Sequence, residues 1–179
     1  MEILASRGSF RMTLADVGQR AGYSRGLPAL HFGNKIGLLR ALVPFIRQRY
    51  NEQLATVPPV TDGLETILGH LSFYFTRKDK GWHAPRAMLI LMTESFMEPF
   101  ELRSDMANYN REVISMIEGH IRIGMERGEI RQLEDPRMAA VLIIGLMRGA
   151  ILPCLVDPNI NVLKIRNELL EMVDSYLVA

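Results

Sequence analysis

The chain of 179 residues has one cysteine, Cys154, and one tryptophan, Trp82. A single cysteine excludes an internal disulfide and fits a reducing compartment such as the cytoplasm. Flanked by Pro153 and Leu155, Cys154 is expected to be a buried structural thiol. The four histidines, His31, His70, His83 and His120, show neither HxxxH nor HExxH spacing. CxxC, GxGxxG and phosphate-loop motifs are all missing. Metal and nucleotide chemistry therefore have no motif to stand on, and no cofactor is expected. Glu94 and Glu98 share a helix face, but Pro99 follows at once, so they read as solvated acids near a helix end rather than an acid/base pair. No enzyme is expected. The apolar stretch Met138–Met147 is ten residues between Arg137 and Arg148, well short of the ~20 that a spanning helix needs. Neither a membrane segment nor a signal peptide is expected.

Convincing period-two alternation is also missing, as are repeats and low-complexity segments. The remaining signal is helical, and the fold class is all-α with about nine helices. A hydrophobic content of 48% can fill a sizeable core, and the length allows one large or two small domains. Pro58-Pro59 marks the clearest boundary and ends a long helix that runs from Asn34 to about Ala55. A helix from about Asp62 to Arg77 carries the stripe Leu64, Ile67, Leu68, Leu71 and Phe75, and Lys78–Gly81 is a turn. Pro85 opens a helix that is apolar nearly all round through Ala87, Leu89, Ile90 and Leu91, and so is expected to be buried. Another helix spans about Phe100–Arg127. Asp135-Pro136 supplies an N-cap and an N1 proline for a helix ending near Leu155, and Asn159 or Asn161 caps the last, which runs to Tyr176.

The densest information lies in Thr13–Leu39. Thr13 is a good N-cap, and Leu14, Val17 and Ala21 line one face of a two-turn helix. Gly22 stands where a chain leaving a helix often needs positive φ. Ser24 is expected to cap a second helix, Arg25 to His31. Asn34 is expected to cap a third, with Lys35 in its first turn and Leu38, Leu39, Leu42 and Phe45 on one face. Two short helices joined by a tight turn are the arithmetic of a helix-turn-helix, whose second helix lies in the major groove of DNA. Pro28, four residues after the expected cap, should distort that helix slightly.

Charge points the same way. Residues 1–60 hold eight bases (Arg7, Arg11, Arg20, Arg25, Lys35, Arg40, Arg47, Arg49) against three acids (Glu2, Asp16, Glu52), a net of +5. The remaining 119 residues hold 13 bases and 17 acids, a net of −4. A basic third on an acidic remainder is the footprint of a chain that meets phosphate at one end.

Thr13–Leu39 resembles the DNA-binding domain of the TetR family of transcriptional regulators. The resemblance rests on Ala21-Gly22-Tyr23-Ser24-Arg25-Gly26, His31-Phe32, Asn34-Lys35 and Leu38-Leu39. It continues less sharply through Gly124–Ile130, Asp135-Pro136 and the Ala- and Gly-rich helix that follows. The resemblance implies a DNA-binding domain over residues 1–45 and a helical regulatory and dimerisation domain over 46–179. It also implies a repressor that binds a palindromic operator as a homodimer and is released by a small apolar effector. In DNA binding, Arg25 would contact a base or phosphate, and Ser24, Gly26 and Leu27 would line the groove-facing turn. Thr13, His31 and Lys35 would sit at phosphates. Leu30 faces either the groove or the core.

Two apolar stripes would carry dimerisation: Met138, Val141, Leu142, Gly145, Leu146, Gly149 and Leu152 on one helix, and Val162, Ile165, Leu169, Val173 and Tyr176 on the next. Phe73, Tyr74, Phe75, Met88, Met92, Phe96, Met97, Met106 and Met116 are compatible with an apolar effector pocket, with Trp82 and the histidines at 70, 83 and 120 as wall groups. The sequence departs from the family at three places: only about two turns of helix precede Gly8, Ala29 replaces a common Tyr, and Pro28 enters the recognition helix. These departures keep a second reading open, a helical ligand-binding or interaction protein that no longer reads specific DNA.

Overall fold

Reciprocal capping starts the helix-turn-helix. Thr13 Oγ1 accepts from the Asp16 amide at 3.1 Å, while the Asp16 carboxylate accepts from the Thr13 amide at 3.3 Å. Two orphan donors at the start of α2 (Leu14–Arg20) are satisfied in this way. The computed structural model describes residues 1–56, 61–76, 82–97 and 100–178. Around α2 the described residues form α1 (Glu2–Arg7), α3 (Leu27–Phe32), α4 (Lys35–Leu54), α5 (Leu64–Thr76), α6 (His83–Glu94), α7 (Phe100–Glu126), α8 (Pro136–Val156) and α9 (Val162–Val178). This is the expected all-α architecture. Pro58-Pro59, the turn at 78–81, Glu98 and Pro99 lie outside the described residues.

The chain packs as two units. The first comprises Met1–Thr56 and Asp79–Tyr109. Its core joins Leu4 of α1 to Met12, to Leu38, Leu39, Leu42, Val43 and Ile46 of α4, to Ala87 and Leu91 of α6, and to Leu102 and Met106 of α7. The short α1 still buries Leu4 completely and packs along α6. These packing units do not follow the expected boundary at 45/46. Helix α4 runs unbroken through that point to Leu54, even past Pro44, and α6 packs on both α1 and α4.

The second unit comprises Val57–Lys78 and Asn110–Ala179. Asp135 caps α8 by accepting from the Met138 amide at 2.9 Å, and Pro136 stands at N1 as expected. Asn161, not Asn159, caps α9, accepting from the amides of Leu163 and Lys164. Helix α9 packs on α5 and α8. Its stripe turns inward: Leu169 and Val173 are 2% exposed, and only Tyr176 of the five expected residues is exposed. Leu169 and Val173 are thus taken up within the chain, while Tyr176 stays on the surface.

The α8 stripe behaves differently. Ala139, Ala140, Ile143, Ile144, Met147 and Ile151 are buried, while all seven residues from Met138 to Leu152 named above are exposed. Among the described residues, α8 is the one helix long and apolar enough, by length and composition, to cross a membrane. Within it, Arg148 donates to Asn110 Oδ1 at 2.6 Å and Arg137 to Glu118 Oε2 at 3.1 Å. Cys154 is half-buried rather than buried, and desolvation raises its thiol pKa. Glu94 is likewise half-buried rather than solvated, and its Oε2 is enclosed without a hydrogen-bond partner among the described residues.

Candidate nucleic-acid interface

Helix α2 ends at Arg20, and Gly22 takes φ 78, a left-handed conformation favourable to glycine. The chain then turns back, with the Tyr23 amide donating to Gly18 O at 2.9 Å. The recognition helix begins two residues later than expected. Gly26, not Ser24, is its N-cap, and residues 24–26 belong to the turn. Pro28 is the reason. A start at Leu27 puts it in the first turn, where its missing N–H removes no helical bond, so the expected distortion does not arise. Its ring is buried and packs against α2 at Gly18.

Burying Pro28 turns the rest of α3 outward. Leu27 is 40% exposed and Leu30 85% exposed, which settles Leu30 as a surface residue. Ala29 and His31 are also exposed. The His31 ring meets Phe32 edge-on, with centroids 4.5 Å apart, and Phe32 anchors the helix in the first unit's core. Arg25 is exposed in the turn, its Nη2 only 3.4 Å from Gln19 Oε1. Thr13, Ser24, Arg25, Gly26, Leu27 and His31 therefore all present exposed surface on this one supersecondary unit.

Lys35 differs from the other site residues. It is half-buried, and its Nζ donates to Ser9 O at 3.2 Å. The ammonium thus holds the segment between α1 and α2 while standing in the first turn of α4. Asn34 caps α4 as expected, accepting from the Gly37 amide at 2.9 Å.

The positive charge of this region is partly neutralised. Arg20 pairs with Glu2 at 2.9 Å and Arg40 with Asp105 at 2.6 Å. Arg7, Arg11 and Arg25 remain exposed. Hydrogen bonding with Thr13, and then the charges of Arg7 and Arg25, hold the Asp16 carboxyl below the usual carboxylate range. Arg7 and Arg25 therefore both lie within electrostatic reach of the start of α2.

No protein-family model and no curated protein matches the sequence. Solved structures do match. A protein from Rhodococcus sp. assigned to the TetR-family transcriptional regulators is similar at a TM-score of 0.86 and 25% identity, over 98% of this chain and 93% of that one. The chain has the TetR-family fold. A protein from Saccharomonospora viridis assigned as a transcriptional regulator, solved with choline, matches at a TM-score of 0.84 and 20% identity, over 99% of this chain and 93% of that one. AibR, solved with isovaleryl coenzyme A and operator DNA, matches at a TM-score of 0.73 and 17% identity, over 96% of this chain and 91% of that one.

The methionine and aromatic set of this TetR-type chain divides between the two units. Met88, Met92, Phe96, Met97 and Met106 belong to the first unit, and Phe73, Tyr74, Phe75 and Met116 to the second. Phe75, Met88 and Met106 are buried core, whereas Phe96 and Met97 are exposed. His70 and His120 lie close together, with ring centroids 6.4 Å apart, and His120 Nδ1 is 3.7 Å from Asp62. Burial, then the charge of His120, lowers the His70 pKa. Trp82 is the only non-glycine residue at positive φ among the described residues and stands at the N-cap of α6.

Proposed function

We propose that this chain is a TetR-type transcriptional repressor of the cytoplasm that binds a palindromic operator as a homodimer. The observation that carries the reading is the exposed edge of the helix-turn-helix: Arg25 in the turn, with Leu27, Leu30 and His31 on α3, backed by the Pro28–Gly18 contact. Arg25 is placed to pair with a guanine edge or a phosphate, while Ser24, Gly26 and Leu27 allow close approach to the groove. Thr13 and His31 take backbone positions, and Lys35, with one of its three N–H donors on Ser9 O, keeps two for a phosphate. One six-residue recognition helix reads few base pairs. Two related by a two-fold axis read a palindrome.

The exposed apolar face of α8 supports self-association. Its seven residues would pack against their copies in a second chain, with Gly145 and Gly149 allowing close approach. Some TetR-type neighbours are solved with small molecules, and an effector that prefers the DNA-incompetent spacing of the two heads would release the operator here. The test is selection from a randomised pool of duplexes near physiological salt, with sedimentation of the free protein. A palindrome enriched by a dimeric protein is the expected result. A monomer, or a pool with no enriched sequence, would overturn the reading.

A further inference from the structure

Between α1 and α2 the chain makes a tight, fully anchored excursion. Gly8 takes φ 70, and Ser9 and Met12 are 7% and 2% exposed. The Met12 amide closes the turn on Ser9 O at 3.0 Å, and the same carbonyl accepts from Lys35 Nζ. The two residues at the tip, Phe10 and Arg11, are left outside. Phe10 is 92% exposed. Arg11 has no hydrogen-bond or ion-pair partner among the described residues.

A fully exposed phenylalanine on a rigid turn forgoes the burial its ring would gain elsewhere. Its setting identifies what would cover it. No acidic residue occurs between Glu2 and Asp16, whereas Arg7 and Arg11 flank the ring in sequence. The tip leads directly into Thr13 and the start of α2. The charges of Arg7 and Arg25 both act on the Asp16 carboxylate there. The exposed ring thus lies among exposed arginines with no acid in its own segment, three residues before the Thr13 cap of the helix-turn-helix. That combination suits a polyanion whose backbone also offers apolar sugar faces.

We infer that the Phe10–Arg11 tip is a second DNA-contact element, with Phe10 packing on deoxyribose and Arg11 on a phosphate of the backbone that flanks the half-site. This inference rests on the DNA-binding reading and extends the interface beyond the helix-turn-helix. A contact to sugar and phosphate adds affinity on every sequence and leaves base preference to α3. Lys35 is a positioning residue in this scheme, because it fixes the turn through Ser9.

The experiment measures binding of a duplex of about 30 base pairs, recovered from the randomised pool by the wild-type protein, across a salt series. Phe10→Ala is expected to bind about tenfold more weakly with an unchanged salt slope and an unchanged preferred sequence. Arg11→Ala is expected to weaken binding and make the slope shallower by about one. Phe10→Leu should restore most of the affinity. Phe96→Ala, an exposed aromatic outside this element, should leave it unchanged. The thermal midpoint of Phe10→Ala should match wild type, since its ring supports no core. Wild-type binding strength in Phe10→Ala would overturn this inference alone. Failure of the wild-type protein to recover or bind any duplex would overturn the regulator reading and this inference with it.

Discussion

Gly18 on α2 and Pro28 on α3 touch so closely that neither can grow. A Cβ at Gly18 would lie 2.6 Å from the Ser24 carbonyl oxygen and 3.0 Å from Pro28 Cδ. The carbonyl is backbone and cannot swing aside, so Gly18→Ala must push the turn or α3 outward. The expected cost is about 1–3 kcal/mol of stability. Operator affinity should fall further than stability alone explains, because the angle between α2 and α3 sets the approach to the groove. Thermal unfolding alongside a DNA-binding titration checks both effects.

Arg25→Ala should separate function from folding. The side chain is exposed and makes only a 3.4 Å contact to Gln19. Stability is expected to stay within about 0.5 kcal/mol of wild type. Specific DNA binding should weaken by about 1–3 kcal/mol if the guanidinium meets a base edge, with relaxed preference at one position of each half-site. Unchanged affinity would remove Arg25 from the interface.

A charge on the apolar face of α8 should split the dimer without unfolding the chain. Leu142 is 56% exposed, while Ile143 and Ile144 beside it point inward. Leu142→Glu is expected to sediment as a folded monomer with wild-type helical content. Losing the linked second head should reduce operator affinity by about 10²-fold or more.

His70 gives stability a pH dependence whose sign is fixed by burial. With its folded pKa below its unfolded value, the unfolded chain binds more protons in the interval between the two. Stability is therefore full above about pH 6.5 and declines as the pH falls below it. His120 and Asp62 share this neighbourhood, and the close imidazole adds to the penalty on charging His70. His70→Asn should flatten the decline, measured as denaturant midpoints between about pH 5 and pH 7.

Much of this protein is legible in its sequence, since local chemistry sets local structure. The Thr13, Asn34 and Asp135 caps, the left-handed Gly22 and the N1 proline of α8 each act within one turn of chain, and all stand where the residues imply. The helix-turn-helix is compact in sequence, so its two short helices and the turn between them are legible from spacing, while its contact residues were named from the family resemblance. Phe10 gave no comparable signal, because nothing in the chain says that Ser9 and Met12 are buried on either side of it.

Tertiary packing decided what local chemistry left open. A polar cap at Ser24 and a proline at position 28 both bid for the start of α3, and contact with Gly18 accompanies the proline's choice. An apolar helical stripe reads the same whether its partner is its own chain or another. Two residues of the α9 stripe, Leu169 and Val173, are buried within the chain, while all seven of the α8 stripe stay exposed. Lys35 was given a partner that its sequence position does not announce, the Ser9 carbonyl 26 residues away. Sequence fixes helices through interactions a few residues long. The partner of each helix face depends on burial against distant segments, which only the folded chain brings together.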